Sequence, residues 1–315
     1  MAKPCMFCGS ERFSYLTKIY FQDYGLVEIK ECLGCGLIGP EQFIGTGPIK
    51  NAYSKTAYFL SQDTAHAGYR NYIRYDAHRN ISEGKVFGKF LKKIKDKGSV
   101  LEIGCASGHF LKGLSLSCEW DTSGLDISGF MAKNASADGI NIACGMFEEV
   151  KINPNSFDAV CMRHVLEHMG QPVYSLEKAK DILKPGGVLL IEIPNGELDI
   201  QLFMSRDSIV MSPHNHLYFF KIETIKKMLN KLGFGIINIT KRNYLQSLRT
   251  IGALPSKRDL YGMNIVNGER KLCKLKKRSV LEYFLNSAGF IGKLIMNRDY
   301  EAAFEIKITA ENNKR

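Results

Sequence analysis

Three groups of residues in this 315-residue chain have the types and spacing to do chemistry. The first is Glu102-Ile-Gly104-Cys105-Ala106-Ser-Gly108, where a short β-branched run breaks into a Gly-x-x-x-Gly turn that opens a helix. Glycine at 104 and 108 lets the backbone turn sharply and approach a bound molecule, and the helix beyond offers N–H groups at its start. A second strand-like segment closes at Gly124-Leu-Asp126-Ile127, which places an acid about twenty residues after the turn, where it suits the hydroxyls of a ribose. The dinucleotide fingerprint would be Gly-x-Gly-x-x-Gly, which this is not, and a tight turn without ligand is the plain alternative.

The second group is Cys5-x-x-Cys8 with Cys32-x-x-Cys35. Each pair carries adjacent glycines, Gly9 or Gly34 and Gly36, so two thiolates on one tight turn can face a single tetrahedral ion. Between them lies room for a hairpin, with Tyr15 to Phe21 and Leu26 to Lys30 as its arms. A structural zinc ribbon is expected rather than a redox pair, because four protein thiolates fill the ion's shell and leave no position for substrate. The third group is His214 and His216, in Ser212-Pro-His-Asn-His-Leu-Tyr-Phe-Phe220. An imidazole can be neutral and receive a proton near neutral pH.

Strands and helices must alternate to hold these groups. Helical spacing of Val86, Phe87, Phe90, Leu91 and Ile94 predicts a helix over about Ser82 to Lys95. Strands are expected at Ile140 to Cys144, from Phe157, after Pro185-Gly186-Gly187, at Gly235 to Lys241 and at Ala303 to Thr309. A helix over Glu223 to Leu232 would stop at Gly233. With 45% hydrophobic and 24% charged residues the chain reads as a globular protein, and it shows no spanning segment or signal peptide, so a cytoplasmic location is expected.

The glycine turn, the run Phe157-Asp-Ala-Val-Cys-Met-Arg-His-Val-Leu-Glu-His168 and the run Leu183-Lys-Pro-Gly-Gly-Val-Leu-Leu-Ile191 follow one another in the order seen in a known family. From about Val86 to Ile308 the chain resembles the class I S-adenosylmethionine (SAM)-dependent methyltransferases. The resemblance implies an α/β fold, a Rossmann-like sheet of seven strands with the last antiparallel. It also implies that Gly104, Cys105, Ala106 and Gly108 surround the amino-acid part of SAM, Glu102 reaches its ammonium, Asp126 holds the ribose diol and Ile127 flanks the adenine. Where relatives often have Gly-Asp, this chain has Gly145-Met146, so a backbone group of Met146 or Phe147 would meet the adenine. Arg163 and His164 fall beside the cofactor, and a tyrosine-rich segment over Ala67 to Arg79 covers it, with Tyr69 near the cofactor and Tyr72 in the catalytic site. An ordinary packed amphipathic helix is the alternative for that segment.

With the cysteine knuckles, the chain resembles more narrowly the sugar C-methyltransferases and related carbohydrate and natural-product enzymes, through Cys32-Leu-Gly-Cys-Gly-Leu37 and Pro40. At 315 residues the chain is expected to be without their large C-terminal domain. The resemblance implies three regions: a zinc ribbon over 1–42, a linker and covering segment over 43–81, and the methyltransferase domain over 82–315 with a helical insertion at about 243–300. His216 matches the histidine that serves these enzymes as base, with His214 and His164 as further candidates, while Asn215 replaces a glutamate and so favours a hydroxyl acceptor over C-methylation. Glu167 and His168 are expected to brace the helix that follows them.

The expected acceptor is a small carbohydrate or related metabolite, and a net charge of +11 favours an anionic one. The basic and apolar stretch of the insertion is expected to cover the substrate side or form a homodimer contact, in preference to touching a membrane surface. An RNA methyltransferase is disfavoured, since no Asn-Pro-Pro-Tyr type motif or basic aromatic stripe occurs. A SAM-binding adaptor without activity is disfavoured by the intact turn, Asp126 and His216.

Overall fold

The structure is a computed structural model and describes residues 3–21, 23–41, 44–54, 77–137, 140–197, 200, 210–211, 215–242, 261–266, 269–274 and 305–313. Tyr69, Tyr72, His214 and most of the 243–300 insertion therefore lie outside the described residues.

The cysteine pairs flank a hairpin. Strand β1 (Phe13–Phe21) pairs antiparallel with β2 (Gly25–Cys32), which pairs in turn with the short β3 (Ile38–Pro40). The arms are longer than their apolar pattern indicated because Phe13↔Cys32 pairing carries the ladder to the second knuckle. Ile19, Phe21 and Ile29 turn inward and are fully buried. Helix α1 (Thr46–Ser54) follows.

Helix α2 spans Ala77–Ile94 and so starts ahead of Ser82, inside the region expected to hold a linker and a helical covering segment. Its first turns are held by polar contacts that hydrophobic spacing does not register. Arg79 pairs with Glu83 one turn on at 3.0 Å, and Glu83 is buried against the sheet. After it come β4 (Lys97–Ile103), α3 (His109–Ser115), β5 (Glu119–Asp126), α4 (Gly129–Ala137), β6 (Ile142–Cys144) and β7 (Phe157–Arg163). Then follow α5 (Pro172–Ile182) and β8 (Leu183–Pro194). The two-residue β9 (Val210–Met211) does not join this sheet and adds in parallel to β1.

Helix α6 (Ile222–Lys231) leads to β10 (Phe234–Arg242), and β13 (Glu305–Asn312) closes the sheet. Its order is β10-β13-β8-β7-β4-β5-β6, with β13 antiparallel to both neighbours and β4 to β8 mutually parallel. Buried on both faces, the central strands are continuous apolar runs: Ala159 to Met162 in β7 and Val188 to Ile191 in β8 are almost wholly inaccessible. The chain reverses strand order between β4 and β7, so the crevice at their C-terminal ends is the place where such a sheet binds ligands.

In the insertion expected to be helical, the described residues form β11 (Tyr261–Val266) and β12 (Glu269–Lys274), an antiparallel pair that includes the first part of the basic run, while the apolar stretches expected to be helical lie outside the described residues. Among the described residues no helix is long and apolar enough to cross a membrane.

Candidate active site

The glycine turn sits at the C-terminal end of β4. Gly104 and Gly108 have φ of 69° and 71°, and Ala106 between them takes a left-handed φ of 46°. A Cβ on Gly104 would lie 2.7 Å from Val165 Cγ2, so that position is closed to larger residues by conformation and by space. The turn is tied to β5 by Asp126, whose Oδ2 accepts the Ala106 N–H at 2.7 Å while Oδ1 accepts the Ser128 N–H at 2.8 Å. Burial pushes the Asp126 carboxyl up to about 6, against the pull of those two donors. Cys105 is buried beside the turn, and Ile127 is partly buried against the core. Met146 and Phe147 are buried; the Met146 carbonyl accepts the N–H groups of Glu149 and Val150, and Lys178 Nζ donates to the Phe147 carbonyl.

Glu102 lies one turn of strand below, 3% exposed. Its Oε1 is 3.6 Å from Arg163 Nη1, and its Oε2 has no hydrogen-bond partner among the described residues. Burial raises the Glu102 carboxyl to about 8 although Arg163 opposes the shift. Arg163, expected at the cofactor, is instead occupied by carboxylates. Its Nε donates to Glu192 Oε2 at 2.7 Å, its Nη2 pairs with Glu83, and its guanidinium lies 4.2 Å over the Phe110 ring. It reaches the pocket through Glu102 and joins α2 to β4, β7 and β8. Sequence reasoning missed Glu83 and Glu192, since buried ion pairs between distant elements leave no local pattern.

The second polar cluster follows β7. His164 has a left-handed φ of 48°, and its N–H donates to the Glu192 carbonyl at 2.7 Å, which bends the chain out of the sheet. The tight turn Leu166–His168 then puts Glu167 inside the protein, 1% exposed. This corrects the expected bracing role: helix α5 begins at Pro172, and Glu167 faces histidines. His164 Nδ1 and His168 Nε2 stand 3.6 and 3.9 Å from Glu167 Oε1, yet neither carboxylate oxygen has a hydrogen-bond partner among the described residues.

Burial works to raise the Glu167 carboxyl, but His164, His168 and His216 outweigh it and hold the group below the usual carboxylate range. His168 is pushed down to about 4, chiefly by burial, so its ring is neutral near pH 7. The rings of His168 and His216 meet at 4.9 Å, and His168 Nδ1 lies 2.9 Å from the Tyr53 hydroxyl and 3.1 Å from the Asn215 carbonyl. Asn215 is fully buried at a φ of 55°, with no hydrogen-bond partner for either side-chain polar atom among the described residues. The structure thus places His216 and His164 on the same buried Glu167 carboxylate, and adds His168 and Tyr53 to the cluster. A Glu-His pair directly after a strand end was the available signal for Glu167 and His168.

The four cysteines converge as well. Cys5 and Cys35 sulfurs are 3.6 Å apart and those of Cys8 and Cys32 3.5 Å, and all four lie within 4.8 Å of one another. The knuckles dock on the histidine loop: Ile38 carbonyl accepts the Phe219 N–H at 3.0 Å, Cys35 carbonyl accepts the Thr224 hydroxyl at 3.3 Å, and Lys221 pairs with Glu31 at 2.7 Å. The same loop is fastened to the turn after β7, where the Leu217 and Tyr218 N–H groups donate to the Glu167 carbonyl at 2.8 and 3.1 Å.

Residues 69–239, over half of the chain, match the family model described as a methyltransferase domain. The chain belongs to this methyltransferase family. The methyltransferase is 31% identical over 155 residues to an uncharacterized protein of Methanocaldococcus jannaschii, covering 48% of this chain and 71% of that one. Among solved structures it is similar to a SAM-dependent methyltransferase of Archaeoglobus fulgidus, at 19% identity and a TM-score of 0.49, over 77% of this chain and 95% of that one. A SAM-dependent methyltransferase of Thermotoga maritima matches at 16% identity and a TM-score of 0.44, over 76% and 90%. The protein is a SAM-dependent methyltransferase by its domain and fold.

Proposed function

We propose that this enzyme methylates a hydroxyl of a small carbohydrate or related metabolite, with the cofactor at the Gly104–Gly108 turn and the acceptor at the His216 loop. SAM supplies, when bound, a methyl group on a sulfonium that an oxygen nucleophile can displace in line. The residues present fit it: Glu102 offers a buried oxygen with no partner among the described residues, which a ligand ammonium would satisfy, and Asp126 is tied to the turn through the Ala106 N–H, where a ribose diol would need an acceptor.

The observation that carries the acceptor reading is the approach of His216 to within 4.8 Å of a buried Glu167 carboxylate, next to an Asn215 amide that has no hydrogen-bond partner among the described residues. A carboxamide donates and accepts, as a sugar hydroxyl does, so Asn215 can hold the acceptor in place. His216 is the member of the cluster through which the acceptor's proton is handled, because the neutral His168 is held by Asn215 and Tyr53, while Glu167 can stabilise positive charge on an adjacent ring. The four cysteines hold a structural zinc ion that fixes the docking of this loop. Hydroxyl-bearing acceptors screened with methyl-labelled SAM on the zinc-loaded protein test the reading. His216→Ala should abolish turnover and leave SAM binding in place; equal loss of both assigns His216 to structure and overturns it.

A further inference from the structure

Two groups of side chains among the described residues can surround a metal ion, and their chemistry differs. The cysteines give four sulfurs; Glu167, His168 and His216 give one carboxylate and two imidazoles, with all ligand atoms within 4.8 Å of one another. The Glu167 carboxylate is wholly inside the protein and has no hydrogen-bond partner among the described residues, which a buried anion avoids unless it is neutralised, paired or bound to metal. His168 Nδ1 is held by the Asn215 carbonyl and the Tyr53 hydroxyl, at 3.1 and 2.9 Å, and its Nε2 faces Glu167 Oε1, 3.9 Å away. Ligands bound about 2.1 Å from one ion stand roughly 3 to 4 Å apart, and Glu167 Oε1 and His168 Nε2 are 3.9 Å apart within a set that spans no more than 4.8 Å. A carbonyl holding the far nitrogen of the ring is also how proteins orient a ligating histidine.

We propose that Glu167, His168 and His216 bind a divalent transition-metal ion whose open coordination positions take the acceptor's hydroxyl. Imidazole with carboxylate selects the manganese-to-zinc group over magnesium or calcium, which prefer oxygen throughout. Three protein ligands leave positions for substrate, in contrast to the closed four-sulfur site. The ion's place is next to the cofactor turn, because Val165, which packs on Gly104, stands two residues before Glu167. A hydroxyl bound to the ion is more acidic. Its O–H bond breaks and the proton passes to water, with the half-exposed His164 at the mouth of the cluster as relay. The oxygen pair forms the new bond to the methyl carbon while the carbon–sulfur pair leaves with the sulfur. The inference rests on the acceptor reading given above and changes its chemistry: His216 acts through the ion instead of taking the proton itself.

The test is Mn2+ titration of the full-length protein followed by electron paramagnetic resonance, since manganese binds thiolate sites poorly. Wild type should take up one Mn2+ per chain. Glu167→Gln and His216→Ala should each weaken that binding at least tenfold, with SAM affinity within about twofold of wild type as evidence that the fold survives. No uptake by wild type, or equal uptake by both variants, overturns the proposal. Bound Mn2+ with no hydroxyl acceptor methylated leaves the ion site standing and sinks the acceptor reading. Turnover that needs His216 but survives exhaustive chelation of this site keeps the acceptor reading and sinks the ion.

Discussion

Glu102→Gln is the sharpest perturbation of the cofactor pocket. In the ligand-free protein the carboxyl titrates at about 8, so at pH 7 about ten molecules in eleven carry the proton there. A ligand ammonium favours the ionised form, and binding at pH 7 should release about 0.9 proton from this group. Glutamine has the same shape but cannot ionise, so the variant loses a charge-assisted hydrogen bond of about 1.5–3 kcal/mol, roughly ten- to a hundredfold in Kd. Ionising Glu102 costs about 1.4 kcal/mol for each pH unit below 8. The ratio of variant to wild-type Kd should therefore rise about tenfold per unit from pH 6 to 8 and then level off. Titration of the ligand's own amine cancels in that ratio. Calorimetry in two buffers of different ionisation heat measures both the ratio and the proton release. The stability of the ligand-free protein supplies an independent sign: a carboxyl raised on folding from 4.5 makes the native state bind more protons, so its contribution falls as pH rises from 4.5 through 8, and the variant should gain on wild type over that range. A Kd ratio that is flat or falls with pH would refute the assignment of Glu102 to the ammonium.

Arg163→Met leaves three buried glutamates facing one another and should cost about 3–5 kcal/mol, read from urea unfolding at pH 7; a loss under 1 kcal/mol would show that the hub is not a working ion pair. Gly104→Ala combines a left-handed φ with a 2.7 Å approach to Val165, so it should destabilise by roughly 2–3 kcal/mol and raise the Kd for SAM, whereas wild-type melting and binding would mean the turn is free to relax. Cys32→Ser should remove the zinc and lower turnover well below wild type while the Kd for SAM changes by less than threefold, because the knuckles touch the histidine loop and the cofactor turn belongs to the large sheet. Elemental analysis gives the zinc content, and full turnover in the zinc-free variant would uncouple the two.

The glycine turn and each cysteine pair were legible because each is local, a handful of adjacent residues whose spacing carries the physics, whereas the seven-stranded sheet came only with the family resemblance. Gly104 and Gly108 take the left-handed conformations their positions demand, and Gly233 stops α6 with a φ of 80°. What escaped depends on residues far apart in the chain. Arg163 reads as a cofactor contact at a strand end, but Glu83 and Glu192 come to it from α2 and β8, 80 and 29 residues away. Glu167 and His168 read as helix furniture until His216 and the Asn215 carbonyl arrive from across the sheet. Apolar periodicity placed α2 too late, since its first turns are bound by charge.

The two halves of the site depend on each other through a short stretch of β7 and the turn beyond it. Arg163 holds Glu102 from below, Val165 packs on Gly104, and Glu167 presents its side chain to the histidines while its carbonyl fastens the loop that carries His216. Five consecutive residues thus position the donor pocket and the acceptor cluster. The hairpin then acts on only one of them: it grips Phe219, Thr224 and Lys221 beyond His216 and has no hydrogen bond to the glycine turn among the described residues. On the proposed reading, a metal bound by the cysteines therefore acts on the acceptor loop, while Glu102, Asp126 and the turn between them act on the affinity for SAM.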